Sequence, residues 1–243
     1  MKQAIFVTAT DTGVGKTLVT AALARTLTAR GCSVGVMKPV ETGMGTERRS
    51  DAGRLKRAAR VPDALDVIRP YGFRLPVAPL DASRSERRGI RIGAILRAYR
   101  RLRSQYEFLL VEGVGGVHVP ITPTIDVVEL IATMNASVLV VGRVGIGGVN
   151  HALLTLNALR SRNIPVIALV LNRTTQARTA VARRQERSTA GLLRERAGVP
   201  LIGPLPYLPQ ADACFDRSTA MLAAHREMTK LTRLVLASAR GSR

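Results

Sequence analysis

The chain has 243 residues, 46% of them hydrophobic, which is enough to bury a sizeable core; its apolar runs are too short to span a membrane. It carries 37 Lys and Arg against 17 Asp and Glu, a net charge of +20, but aromatics are only 3%, too few to make stacking platforms for single-stranded nucleic acid. Cys32 and Cys214 are isolated, and with only His118, His151 and His225 beside them a His/Cys metal centre is excluded.

Arg accounts for 32 of the basic residues and Lys for five, so the charge is read as a solvated Arg-rich surface and not as a nucleic-acid interface. No signal-peptide pattern is visible, and a cytoplasmic enzyme is expected. Short β-branched runs alternate with amphipathic helical segments, which predicts an α/β fold of three layers, a mainly parallel central sheet with helices on both faces. A single domain is expected over residues 1–237, followed by a disordered tail at 238–243.

The first strand, Ala4 to Val7, runs into Thr8-Ala9-Thr10-Asp11-Thr12-Gly13-Val14-Gly15-Lys16-Thr17, ahead of a helix over Leu18 to Ala29. A Gly-rich turn between strand and helix aims backbone N–H groups and a helix N-terminus at one spot, which suits a polyphosphate. The usual spacing G-x-x-x-x-G-K-[ST] would put its first Gly at position 10, where this chain has Thr10. Gly15 allows close approach to the phosphates, Lys16 would reach the β- and γ-phosphates, and the Thr17 hydroxyl would sit on Mg²⁺.

A second strand, Ser33 to Met37, ends at Lys38-Pro39, placing an ammonium at a carboxyl strand end; an irregular stretch follows from Pro39 to Gly53, with Ser50 a plausible cap for a helix carrying Asp51. A further irregular stretch covers Ile68 to Arg91, before a helix marked by Ile92, Ile95, Leu96, Tyr99 and Leu102. The apolar strand Phe108 to Val111 ends in Glu112, where phosphate-loop NTPases keep an acidic group for Mg²⁺, and Asp51 is a candidate second carboxylate. Gly113, Val114, Gly115 and Gly116 then expose backbone against which a substrate would lie.

Helix, strand and helix follow at Val127 to Met134, Val138 to Val141 and Ala152 to Leu159; Gly145-Ile146-Gly147-Gly148-Val149-Asn150-His151 makes a second anion-receptive turn before the last of these. Asn172 ends the strand Val166 to Leu171, and Thr179 to Glu195 forms a helix. The strand Leu201 to Leu205 leads into the turn Pro206-Tyr207-Leu208-Pro209, which is placed to flank a base, and a helix over Ala220 to Leu236 completes the chain.

Taken jointly, Thr10 to Thr17, Lys38-Pro39-Val40, Val111 to Gly116 and Val149-Asn150-His151 with Leu153-Leu154-Thr155 resemble the dethiobiotin synthases of biotin biosynthesis, a P-loop NTPase-like family, over residues 2–210. That resemblance implies an ATP-dependent cyclo-ligase converting 7,8-diaminononanoate and CO₂ to dethiobiotin, ADP and phosphate through a carbamate and a carbamic-phosphoric anhydride. It implies Lys16 and Lys38 as catalytic residues and Thr17, Asp51 and Glu112 as Mg²⁺ ligands. Thr12, Gly13, Val14, Gly15, Lys16, Thr17, Leu18, Asp51, Glu112, Asn172, Pro206 and Leu208 would contact ATP. Lys38, Thr42, Gly113, Val114, Gly115, Gly116, Gly147 and Asn150 would contact the diamine, the last two across the interface of a homodimer. Gly13 replaces a Glu found in some members, and Arg173 stands where Asp often follows the family's Asn.

The alternative is a partition- or septum-site-type switch ATPase. Those proteins carry an extra lysine five residues before the loop lysine, and here that position is Asp11.

Overall fold

The structure, a computed structural model, describes residues 2–241. In chain order the elements are β1 (Gln3–Ala9), α1 (Lys16–Ala29), β2 (Val34–Met37), β3 (Val40–Glu41), α2 (Asp51–Ala59), α3 (Leu65–Ile68), β4 (Tyr71–Gly72), α4 (Pro79–Ser85) and α5 (Ile92–Gln105). They continue as β5 (Phe108–Gly116), α6 (Val127–Met134), β6 (Ser137–Arg143), α7 (Gly148–Arg160), β7 (Val166–Asn172), α8 (Ala180–Arg196), β8 (Leu201–Ile202), α9 (Phe215–Ala223) and α10 (Arg226–Gly241).

Six strands form one sheet in the order β2-β5-β1-β6-β7-β8, every neighbouring pair parallel, and β3 and β4 make a separate parallel pair. The expected α/β architecture is therefore the one observed. Alternation along β1 sorts the core into its two layers. Ile5, Val7 and Ala9 pack with Leu23 of α1, Leu55 of α2, Phe215 of α9 and Met228 of α10. Ala4 and Phe6 face the other way, toward Ile95 of α5, Ile131 of α6, Leu156 of α7 and Leu193 of α8. Helix α1 is apolar nearly all round, since it is covered by α2, α9 and α10 as well as by the sheet.

Strand register fixes what lies at the carboxyl edge. Met37 pairs with Val111 and Phe6 with Val111 on the other side, so the next row contains Lys38, Glu112 and Val7. The phosphate loop starts directly beyond that row.

Several expectations are corrected. The stretch from Pro39 to Gly53 is not wholly irregular: it holds β3, a 3-10 turn at Glu47–Arg49 and the start of α2. Likewise 68–91 contains β4 and α4; β4 is ordered by pairing with β3 and by Phe73 N–H donating to Glu41 O at 2.8 Å, contacts that local sequence does not announce. Gly113 to Gly116 continue β5, since a Cβ at Gly113 would lie 2.7 Å from the Phe6 ring. The last strand stops at Ile202, and Pro204 offers no N–H to extend the ladder. The expected helix Ala220 to Leu236 is two helices, broken at Ala224 and His225, with His225 Nδ1 accepting from Glu227 N–H at 3.2 Å. Residues 238–241, expected in a disordered tail, belong to α10, where Ala239 is buried and Ser238 Oγ accepts from Gln3 Nε2 at 3.0 Å. Residues 242 and 243 of that tail lie outside the described residues.

Candidate active site

The loop between β1 and α1 is built as its composition requires. Gly15 is the residue before α1 with φ +95°, and a Cβ there would meet Asn172 Nδ2 at 2.3 Å. No other residue type fits both the backbone and the space. Helix α1 begins with no side-chain cap and no acidic residue in its first turn, leaving its N–H groups for an anion. Asn172, at the end of β7, donates from Nδ2 to Val14 O at 2.9 Å and ties the loop to the sheet.

Behind the loop lies a buried charge cluster. Lys38 Nζ is 2.5 Å from Glu112 Oε1, 2.9 Å from Asp51 Oδ2 and 3.1 Å from Gly113 O. Thr17 Oγ1 donates to Glu112 Oε1 at 2.9 Å. Burial works against the Lys38 cation, but the Glu112 and Asp51 carboxylates outweigh it and raise its pKa above the ordinary lysine value. Burial likewise opposes the Asp51 carboxylate, and Lys38 and Thr17 more than offset it, so its pKa falls. Glu112 is pulled both ways; with no exposure at all, burial wins and raises its pKa against the pull of Lys38. Lys16 is pushed down to about 8, by burial first and by repulsion from Lys38 second.

A cleft of about 630 Å³ opens over this cluster. Of the residues read from the sequence, Thr12, Gly13, Gly15, Lys16, Thr17, Leu18, Lys38, Thr42, Asp51, Val114, Gly115, Asn172, Pro206 and Leu208 line it. Glu112 and Gly113 sit beneath its floor and touch it through Lys38. Val14 is buried under the loop, and Gly116 pairs with Ala9 in the sheet. Gly147 and Asn150 are elsewhere. Gly147 lines a shallow groove with Ile146, Val149 and Val181, and Asn150 is exposed on the first turn of α7.

Two residues, Glu41 and Arg54, escaped the sequence reading, and Arg173 was read there only as a departure from the family's pattern. Glu41, buried on the cleft wall, pairs with Arg69 at 3.0 Å; its position beside Thr42 was the available signal. Arg54, one turn after Asp51, lies 4.6 Å over the Phe215 ring and 2.6 Å from Asp212, so α9, where no motif was read, closes one side of the cleft. Arg173 is held by Glu186 at 2.8 Å and donates to Pro204 O and Leu205 O, which secures the turn ahead of Pro206.

Comparison with known proteins decides the family. A family model described as an AAA domain matches residues 3–214. The chain is 40% identical over 221 residues to an ATP-dependent dethiobiotin synthetase of Thermodesulfovibrio yellowstonii, covering 86% of this chain and 91% of the relative. The chain belongs to the ATP-dependent dethiobiotin synthetase family. A dethiobiotin synthetase from an Anaeromyxobacter species (strain Fw109-5) is 44% identical over 168 residues, 69% of this chain and 75% of that one. Among solved structures, the MinC:MinD cell division complex of Aquifex aeolicus aligns with a TM-score of 0.62 and 19% identity, covering 97% of this chain and 96% of that chain. At that identity the likeness shows a shared P-loop fold between the dethiobiotin synthetase family and MinD, and nothing of the switch function.

Proposed function

We propose that the protein catalyses ATP-dependent closure of the cyclic urea of dethiobiotin from 7,8-diaminononanoate and CO₂ in biotin biosynthesis. The observation that carries this is the convergence of Lys16, Lys38, Thr17, Asp51 and Glu112 at the mouth of one loop, in a chain of this family. The diamine's carbamate attacks the γ-phosphorus, ADP leaves, and the second amine then displaces phosphate from the mixed anhydride to close the ring. The loop N–H groups and Lys16 hold the phosphates, and Lys38 lies where negative charge grows on the transferring group. Thr42, Val114 and Gly115 line the side of the cleft where the amines would rest.

The donor set fits Mg²⁺. Glu112 Oε2 is buried and has no hydrogen-bond partner, while Oε1 of the same carboxylate takes the Thr17 hydroxyl and shares Lys38 with Asp51. No group of three His, Cys, Asp or Glu able to hold a metal occurs among the described residues; Mg²⁺ at a nucleotide needs only one or two carboxylates, with phosphate and water completing the shell. Thr17, Asp51 and Glu112 would hold the ion, which neutralises charge on the phosphates when bound.

The chain works as a homodimer. Ile146, just ahead of the bare N-terminus of α7, and Leu154, midway along that helix, are apolar and 76% and 59% exposed, and a partner covering them would bring Gly147 and Asn150 to the far carboxylate of the diamine. The catalytic unit is one domain, and it works in the cytoplasm, where ATP is supplied. Product analysis after incubation with diamine, bicarbonate and MgATP tests the reaction: dethiobiotin formed with stoichiometric phosphate supports it, and phosphate release indifferent to the diamine overturns it.

A further inference from the structure

Glu41 takes no part in the steps above, yet its carboxylate is only 4% exposed, on the wall of the cleft. A carboxylate so placed is costly unless its oxygens are satisfied. Oε1 accepts the Asp51 N–H at 2.6 Å; Oε2 accepts the Ala52 N–H at 3.4 Å and Arg69 Nη1 at 3.0 Å. Those N–H groups belong to the first turn of α2, where a helix leaves its donors without internal partners. Ser50 Oγ takes a third, that of Gly53, at 3.1 Å. A side chain ten residues upstream thus does for two positions what a local cap does for one, and its negative charge suits the positive end of the helix.

Glu41 is itself fixed. It lies in β3 opposite Gly72 of β4 and accepts the Phe73 N–H through its carbonyl, while Arg69 stands just ahead of β4. The small β3–β4 pair is therefore a bracket that holds the Glu41–Arg69 ion pair against the start of α2. Asp51 is the first residue of that helix, and its carboxylate is the one 2.9 Å from Lys38.

We propose that Glu41 is a positioning residue for Asp51: it clamps the first turn of α2 so that the Asp51 carboxylate is held at the metal and lysine cluster. This rests on the reading of Asp51 as a metal ligand. Supporting groups behind metal ligands change metal affinity by about 10- to 100-fold when removed.

The test compares ADP affinity with and without Mg²⁺, by calorimetry, for the wild type, Glu41→Ala, Glu41→Gln, Asp51→Asn and the Glu41→Ala/Asp51→Asn double variant, with thermal melts as the folding control. The expected result is a loss of about tenfold or more in the Mg²⁺-dependent gain for Glu41→Ala, with metal-free ADP affinity unchanged. A smaller loss is expected for Glu41→Gln, which keeps one acceptor, and no added loss when Glu41→Ala is placed on Asp51→Asn. A wild-type Mg²⁺ gain in Glu41→Ala, or in Glu41→Gln should the alanine variant not fold, overturns the proposal, as does full additivity in the double variant. If Asp51→Asn itself keeps the full gain, it is the metal reading that falls; if only the Glu41 variants keep it, the positioning role alone falls.

Discussion

Lys38 and Glu112 form an ion pair at 2.5 Å between side chains that are 3% and 0% exposed, one residue beyond the row in which β2 pairs with β5. Parallel pairing brings them together, and sheet register thereby delivers the Lys38 cation to the foot of the phosphate loop. Removing the cation alone strands the carboxylate. Lys38→Met should abolish turnover and destabilise the fold by about 3–5 kcal/mol in urea denaturation. Lys38→Met/Glu112→Gln should recover much of that stability and none of the activity; a single variant as stable as the wild type would mean that Glu112 is not ionised there.

The Lys16 pKa of about 8 predicts a proton signature. Phosphates favour the cation, so nucleotide binding should take up protons above that pH. The sign for folding follows from the same shift. Between about 8 and the ordinary 10.5 the unfolded chain binds more protons at this group than the folded one, so its contribution to stability rises with pH across that window. Calorimetry of MgADP binding at about pH 8.5 in two buffers of different ionisation enthalpy measures the uptake. Equal apparent enthalpies would contradict it.

Gly15 and Asn172 share one space. Gly15→Ala should reduce ATP affinity and stability together, since the new Cβ would stand 2.3 Å from Asn172 Nδ2 and the φ of +95° strains any L side chain. Adding Asn172→Ala should relieve the clash and leave the backbone strain, giving partial recovery in thermal melts. Recovery to wild-type stability would show that strain at Gly15 is negligible.

The proposed dimer predicts a split in kinetic effects. Leu154→Glu places a charge on an exposed apolar position of α7, and it should shift the protein to monomer in sedimentation while raising KM for the diamine and leaving ADP affinity unchanged. A monomer with unchanged KM would remove Gly147 and Asn150 from the substrate site.

Much of the site was legible because its signals are local: Gly15, Lys16 and Thr17 are consecutive, and Glu112 ends an apolar run. The sheet was legible for the same reason, through runs such as Val138 to Val141. What escaped depends on partners distant in sequence. Strands β3 and β4 have two residues each and exist through pairing across thirty-odd positions of chain; the Glu41 carboxylate shows its use only once α2 is packed against it. Phe215 enters the cleft wall through Arg54, a contact no motif encodes. The glycines after Glu112 read as bare backbone for a substrate, but Gly113 is bare because β5 passes the Phe6 ring there.

Ring closure is tested by quantifying phosphate from MgATP with and without 7,8-diaminononanoate and bicarbonate, with mass spectrometry of the product, for the wild type and Lys16→Gln. Phosphate release that requires the diamine, a dethiobiotin mass in equal amount, and a loss of about 10²-fold or more in Lys16→Gln are the predicted results. Hydrolysis of ATP at the same rate without the diamine, and no dethiobiotin, would rule out dethiobiotin synthesis by this protein.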